Sequence, residues 1–198
     1  YDWTVNGANV GVPTATLLSS NFDRDDVVRC TVVPTDGSTP GTSDFAQITI
    51  ANSAPVLSSA SISNSSPTTD TVLSVGGASS DLDGDTVSMT WDWYVNGLSV
   101  QNSASSSLAG VTFFDRGDTV YAIGTPSDGS LSGTPVTTAS VTVGNTAPTA
   151  PLVLIDPADP TEDDDLLCII DDDSTDADGD TISYTISWEV DGVAWAGA

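Results

Sequence analysis

Four segments of this chain return in the same order and at one spacing, 90 to 95 residues apart. Val95-Asn96-Gly97 recurs as Val5-Asn6-Gly7 and as Val190-Asp191-Gly192, each with a Trp two residues before the Val: Trp93, Trp3 and Trp188. Asp23-Arg24-Asp25-Asp26, followed by Pro34-Thr35-Asp36-Gly37, returns as Asp115-Arg116-Gly117-Asp118, followed by Pro126-Ser127-Asp128-Gly129. Asn52-Ser53-Ala54-Pro55 returns as Asn145-Thr146-Ala147-Pro148, and Asp81-Leu82-Asp83-Gly84-Asp85 as Asp176-Ala177-Asp178-Gly179-Asp180. An internal period constrains the fold more than any other feature, because each copy must bury its own hydrophobic face or share one with its neighbours.

Composition says what the repeated unit is made of. Only Glu162 and Glu189 are Glu, there is no Lys or His, and the only basic residues are Arg24, Arg29 and Arg116. Strong helix formers are scarce, while Val, Thr, Ser, Asp and Gly abound, which is strand-and-turn chemistry. Hydrophobic residues make up 38% of the chain, enough for real cores despite a net charge of −25. Within residues 53–146, alternating apolar runs predict strands at Val56–Ile62, Thr71–Val75, Val87–Val95, Leu108–Phe113, Thr119–Ile123 and Val136–Val143. Asn96-Gly97 is a strong short-hairpin signal. The expectation is an all-β chain of two-sheet sandwich repeats of about 93 residues. One repeat is complete (53–146) and two are partial: 1–52, from the third strand onward, and 147–198, ending at the third strand. The Asn-x-Ala-Pro segments read as linkers, since Pro ends a strand and stiffens the joint.

The pattern Asp-x-Asp-Gly-Asp-Thr, Trp-x-Val-Asn/Asp-Gly, Asp-Arg-x-Asp, Pro-x-Asp-Gly resembles the immunoglobulin-like and PKD-like repeats of large bacterial extracellular surface proteins and adhesins. Trp91-Asp92-Trp93 is similar to part of the PKD signature, although the Gly-Asp-Gly that follows in that family is absent. The resemblance implies a tandem β-sandwich array at the cell surface or outside the cell. It also implies a place for the cysteines: Cys30 on the sixth strand of one repeat and Cys168 on the second strand of another. There each would form a disulfide with an equivalent in an adjoining repeat or a neighbouring copy. The alternative is two unrelated buried thiols.

The Asp clusters suggest a metal. Asp81, Asp83 and Asp85, and again Asp176, Asp178 and Asp180, alternate around a turn as short calcium loops do. Loop clustering in a sandwich should bring Asp128 to the first triplet, with Asp23, Asp25 and Asp26 arriving from the preceding repeat. Asp115 and Asp118 should approach the second triplet in the same way. Calcium would relieve the mutual repulsion and stiffen the joint. The competing reading is solvated turn Asp residues with Arg24 or Arg116 as counter-charge.

Several functions lack their chemistry. Without His or Lys there is no neutral-pH base, Schiff-base lysine or Ser-His-Asp set, so the chain is expected not to be an enzyme. Its charge opposes nucleic acid, and no apolar run approaches membrane-spanning length. It begins without Met or a signal peptide, which reads as a mature or excised window on a longer array. The half-repeats at its ends would be completed by adjoining repeats or head-to-tail by further copies. Asn64-Ser65-Ser66 is an N-glycosylation acceptor, and Ser103–Ser107 could carry O-glycans. Two roles follow: a filament or stalk, or an adhesin whose Trp91 and Trp195 meet carbohydrate.

Overall fold

The computed structural model describes residues 1–195. The chain is all-β, built from several small antiparallel sheets as a sandwich architecture requires. It divides into two compact units. The first comprises Tyr1–Ser61, Gly77–Trp91 and Ile123–Thr138; the second comprises Ile62–Gly76, Asp92–Ala122 and Ala139–Ala198.

The chain opens with β1 (Asp2–Val5), β2 (Ala8–Asn9), β3 (Val27–Val32) and β4 (Asp44–Thr49), joined in the order β2-β1-β3-β4. Two sheets follow. One orders β5 (Val56–Ile62), β6 (Val72–Ser80) and β9 (Ser107–Ala109) as β5-β6-β9. The other contains β7 (Ser88–Val95), β8 (Leu98–Ser103), β10 (Thr119–Ser127) and β11 (Val136–Thr137) in the order β11-β10-β7-β8, with β12 (Val141–Thr142) also on β10. Two hairpins close the described chain: β13 (Leu152–Asp156) with β14 (Leu167–Asp172), and β15 (Trp188–Val190) with β16 (Val193–Trp195).

Alternation makes the buried faces. β7 buries Trp91, Trp93 and Val95 and leaves Asp92 and Tyr94 on its other side, as a half-buried strand must. In β10, Val120, Ala122, Gly124 and Pro126 are buried and the residues between them are not. In the first unit Trp91 lies against Gly124 and Leu57 does too; in the second, Leu73, Leu108, Val120 and Trp93 are fully shielded. The tight turn between β7 and β8 places Asn96 at φ 50° and Gly97 at φ 81°, the left-handed pair a two-residue hairpin needs. Asn6-Gly7 and Asp191-Gly192 adopt the same values to within a few degrees.

Four of the expected strands differ, Thr119–Ile123 by running on to Ser127 as β10. Leu108–Phe113 is not one strand: β9 stops at Ala109, and Gly110–Phe113 (α1) forms a single helical turn closed by the Phe114 N–H on the Gly110 carbonyl at 3.0 Å. The turn rotates Phe114 into the core, which an extended chain would not do. Val136–Val143 breaks into β11 and β12, with Thr138 buried between them. The strand expected at Thr71–Val75 runs on to Ser80.

Candidate functional site

The repeated acidic loops lie at two joints, one in each unit. In the first, Asp81 folds its loop by accepting the backbone N–H of Asp83 (2.8 Å) and of Asp85 (3.3 Å) on Oδ1. That Asx turn presents Asp83 and Asp85 outward. Asp83 Oδ2 accepts the Ser53 N–H of the linker at 2.6 Å. Asp85 receives both terminal nitrogens of Arg24, the Nη2 bond measuring 3.1 Å. Arg24 Nη1 also donates to Asn52 Oδ1 at 2.5 Å, and Asn52 Nδ2 donates to Asp128 Oδ2 at 2.8 Å. One guanidinium therefore ties the Asp23–Asp26 loop to the linker and to the acidic triplet. The fork geometry is the reason an arginine, and not a lysine, can do so.

The second joint uses the same parts 92 to 95 residues later. Arg116 donates to both oxygens of Asp180, with Nη2–Oδ1 at 2.9 Å, and to Asn145 Oδ1. Asp178 Oδ2 accepts the Thr146 N–H at 2.6 Å, and Asp176 Oδ1 accepts the N–H groups of Asp178 and Asp180. This joint adds a bond with no counterpart among the described residues of the first: Asp178 Oδ1 accepts the hydroxyl of buried Thr69. The Thr69 N–H in turn donates to Thr146 Oγ1 at 3.1 Å.

These contacts set the protonation of the groups. Arg24 and Arg116 are held above their ordinary value, first by the hydrogen bonds to Asp85 and Asp180 respectively. The Thr69 hydroxyl, then the Thr146 N–H, hold the Asp178 carboxyl below the usual range. The backbone N–H groups of Leu131 and Ser130 do the same for Asp128, aided by Asn52.

The other candidate residues divide into those at the joints and those that shape turns. Asp23 and Asp25 border a recess with Arg24, Leu82 and Asp83 in the first unit. Asp26 instead accepts the Asp23 N–H (2.8 Å) and the side-chain amide of Asn6 (2.6 Å). Asp118 repeats this with the Asp115 N–H and Asn96. Both therefore brace the Asn-Gly hairpins. Cys30 and Cys168 are half-buried free thiols. Asn64 is half-buried and turns its Oδ1 onto the Ser66 N–H at 2.9 Å. Trp91 is 4% exposed and belongs to the core, which removes it as a carbohydrate contact; Trp195 is 59% exposed.

One observation at each triplet bears on a cation. Asp176, Asp178 and Asp180 each offer an oxygen within 4.8 Å of the others, the one such set among the described residues. At the first joint Asp81 Oδ2 is shielded from water with no hydrogen-bond partner, an anionic oxygen left unmatched. Arg24 pairs with Asp85 and, at 3.7 Å through Nε, with Asp25, and Arg116 pairs with Asp180, which leaves the other clustered carboxylates without an ion pair among the described residues. The linker asparagines and Thr69 were not among the expected site residues. The asparagines carried a signal, since they repeat in step with the arginines; Thr69 lies in no repeated motif.

Comparison of the sequence with protein-family models and with curated proteins gives no match to either.

Proposed function

We propose that this chain is a segment of an extracellular or cell-surface structural array of immunoglobulin-like repeats, a filament or stalk, and not a catalyst. The repeats run over 1–52, 53–146 and 147–198, and the incomplete ones are completed by adjoining repeats or head-to-tail by further copies. The observation that supports this is the recurrence of one fastening, Arg to Asp and linker Asn, at both joints. A device repeated once per module acts in holding modules in fixed register; an active site has no need of it. Charge-assisted, forked bonds suit that purpose, because they fix orientation as well as distance.

Calcium is the second element of the proposal. Asp81, Asp83 and Asp85, and Asp176, Asp178 and Asp180, would hold it, and its chemistry there is to neutralise carboxylates that one arginine cannot. Two measurements test the reading. Nuclear spin relaxation of the R24Q/R116Q variant should show segments tumbling independently where the parent's move together; identical relaxation would remove the fastening role. Calorimetric titration with Ca²⁺ should show heat that D81N and D176N reduce; no heat at millimolar Ca²⁺ would leave arginine as the only neutralising group.

A further inference from the structure

Arg29 is the one arginine that fastens nothing. It lies on β3, whose alternation buries Val28 and turns Val27, Arg29 and Thr31 to the opposite face. Residues directly opposite in an antiparallel pair share a face. Asp2 pairs with Thr31 and Thr31 with Phe45; Thr4 pairs with Arg29 and Arg29 with Gln47. Two rows of three side chains, Asp2-Thr31-Phe45 and Thr4-Arg29-Gln47, therefore tile this outer face at the ~5 Å spacing of a sheet. All of these but Phe45 border, with Val27 and Gly7, a recess of about 440 Å³ within the first unit.

The guanidinium carbon of Arg29 sits 3.6 Å from the centroid of the Phe45 ring, and the side chain is half-buried. Among the described residues it has no carboxylate within ion-pair distance and no hydrogen-bond acceptor, in a chain with 28 acidic residues. The ring contact holds the guanidinium in place while its N–H groups stay unmatched among the described residues, which suits it to receive a carboxylate. Around it stand two hydroxyls, an amide and the Asp2 carboxylate, partners for hydroxyl groups, with Val27 and Phe45 as the exposed apolar side chains of this face.

We infer that this face binds a carboxylate-bearing sugar, a uronic acid residue. Its carboxylate would lie on Arg29 and its hydroxyls on Thr4, Thr31, Gln47 and Asp2, with Phe45 supporting the guanidinium. A protein partner would need a cluster of apolar anchors, and this face offers only Val27 and Phe45. A second copy would also bring its own charge of −25, whereas one uronate brings a single negative charge. The site shares no residue with the joints, so its failure and theirs are separable.

The test titrates the full chain with a galacturonic acid trisaccharide, followed by amide chemical shifts, beside its methyl ester and a neutral galactose trisaccharide. Shifts confined to β1, β3 and β4 with the free acid alone are expected. R29Q, checked by an otherwise unchanged spectrum, should weaken binding at least about tenfold, as loss of a charged, forked contact implies, and F45A should weaken it less. Equal binding of the ester, shifts at the joints instead, undiminished binding to R29Q, or no response to millimolar acid would each overturn the proposal. So would self-association that R29Q abolishes without any response to sugar.

Discussion

Replacing Trp93 by Phe should cost this protein unusually little. Trp93 is fully buried, and its indole N–H finds no acceptor among the described residues. The equivalent Trp3 donates its N–H to the Thr14 carbonyl at 2.9 Å. Two effects of opposite sign compete at position 93. Deleting the second ring leaves a void of roughly 40 Å³, about 1 kcal/mol at ~24 cal/mol per Å³. Lost transfer energy for the missing ring carbons adds about 1–1.5 kcal/mol. Against that, removing an unmatched buried donor returns about 1–3 kcal/mol. The sum runs from about 1 kcal/mol of gain to about 1.5 kcal/mol of loss, while L73A, a truncation at an equally buried position, should lose about 2–5 kcal/mol. Hydrogen exchange of the slowest amides in β7 and β10 reads the opening free energy of this region directly. A W93F loss of about 3 kcal/mol or more would refute the reasoning, since it would mean the indole N–H is well satisfied in the native state.

Two further outcomes follow from packing and charge elsewhere in the fold. A methyl group on Gly124 would meet Trp91 Cζ3 at 2.4 Å and Leu57 Cδ2 at 2.9 Å, so G124A should destabilise by about 1–3 kcal/mol; at roughly 4–8 °C per kcal/mol, calorimetry would register it as a clear fall in Tm, and an unchanged Tm would sink the packing argument. Asp178 titrates below its ordinary value of 3.8 in the folded chain, so its contribution is complete above that value and disappears as the pH falls through the lower folded one. The second joint should therefore be insensitive to pH from neutrality down to about 5 and loosen only in stronger acid; ¹³C titration of the Asp178 carboxyl checks this, and a midpoint at or above 3.8 would contradict it.

What could be read in advance was whatever depends on near neighbours. The Asn96-Gly97 turn follows from two residues that tolerate positive φ, and the Trp91/Trp93 face follows from simple alternation. β8 escaped notice because Leu98–Ser103 carries few apolar residues and is exposed along half its length. The α1 turn escaped because an apolar run of that length fits either period, and only the packing of Gly110 beneath the Thr69 and Thr71 carbonyls decides between them. The acidic loops were recognised as sites, but their partners are set by long-range folding: Arg24 and Asp85 are separated by 61 residues. Thr69 is further still from Asp178, and no repeated pattern points to it.

The balance of charge at the joints has a consequence that ordinary surface ion pairs do not share. An exposed arginine–aspartate pair weakens as salt is added, because screening removes its attraction. Here one guanidinium faces a whole group of carboxylates: Arg24 pairs closely with Asp85 and more distantly with exposed Asp25, while Asp23 and Asp83 share its recess and Asp128 stands beyond Asn52. Repulsive pairs outnumber attractive ones, and the attractive contacts are the short, directional ones that screening affects least. Added monovalent salt should therefore tighten the first joint, and a divalent ion should do so at far lower concentration. Relaxation measurements at low and high NaCl decide the sign: a joint that loosens with salt would mean that the arginine's attraction, and not the crowding of aspartates, governs how these repeats are held together.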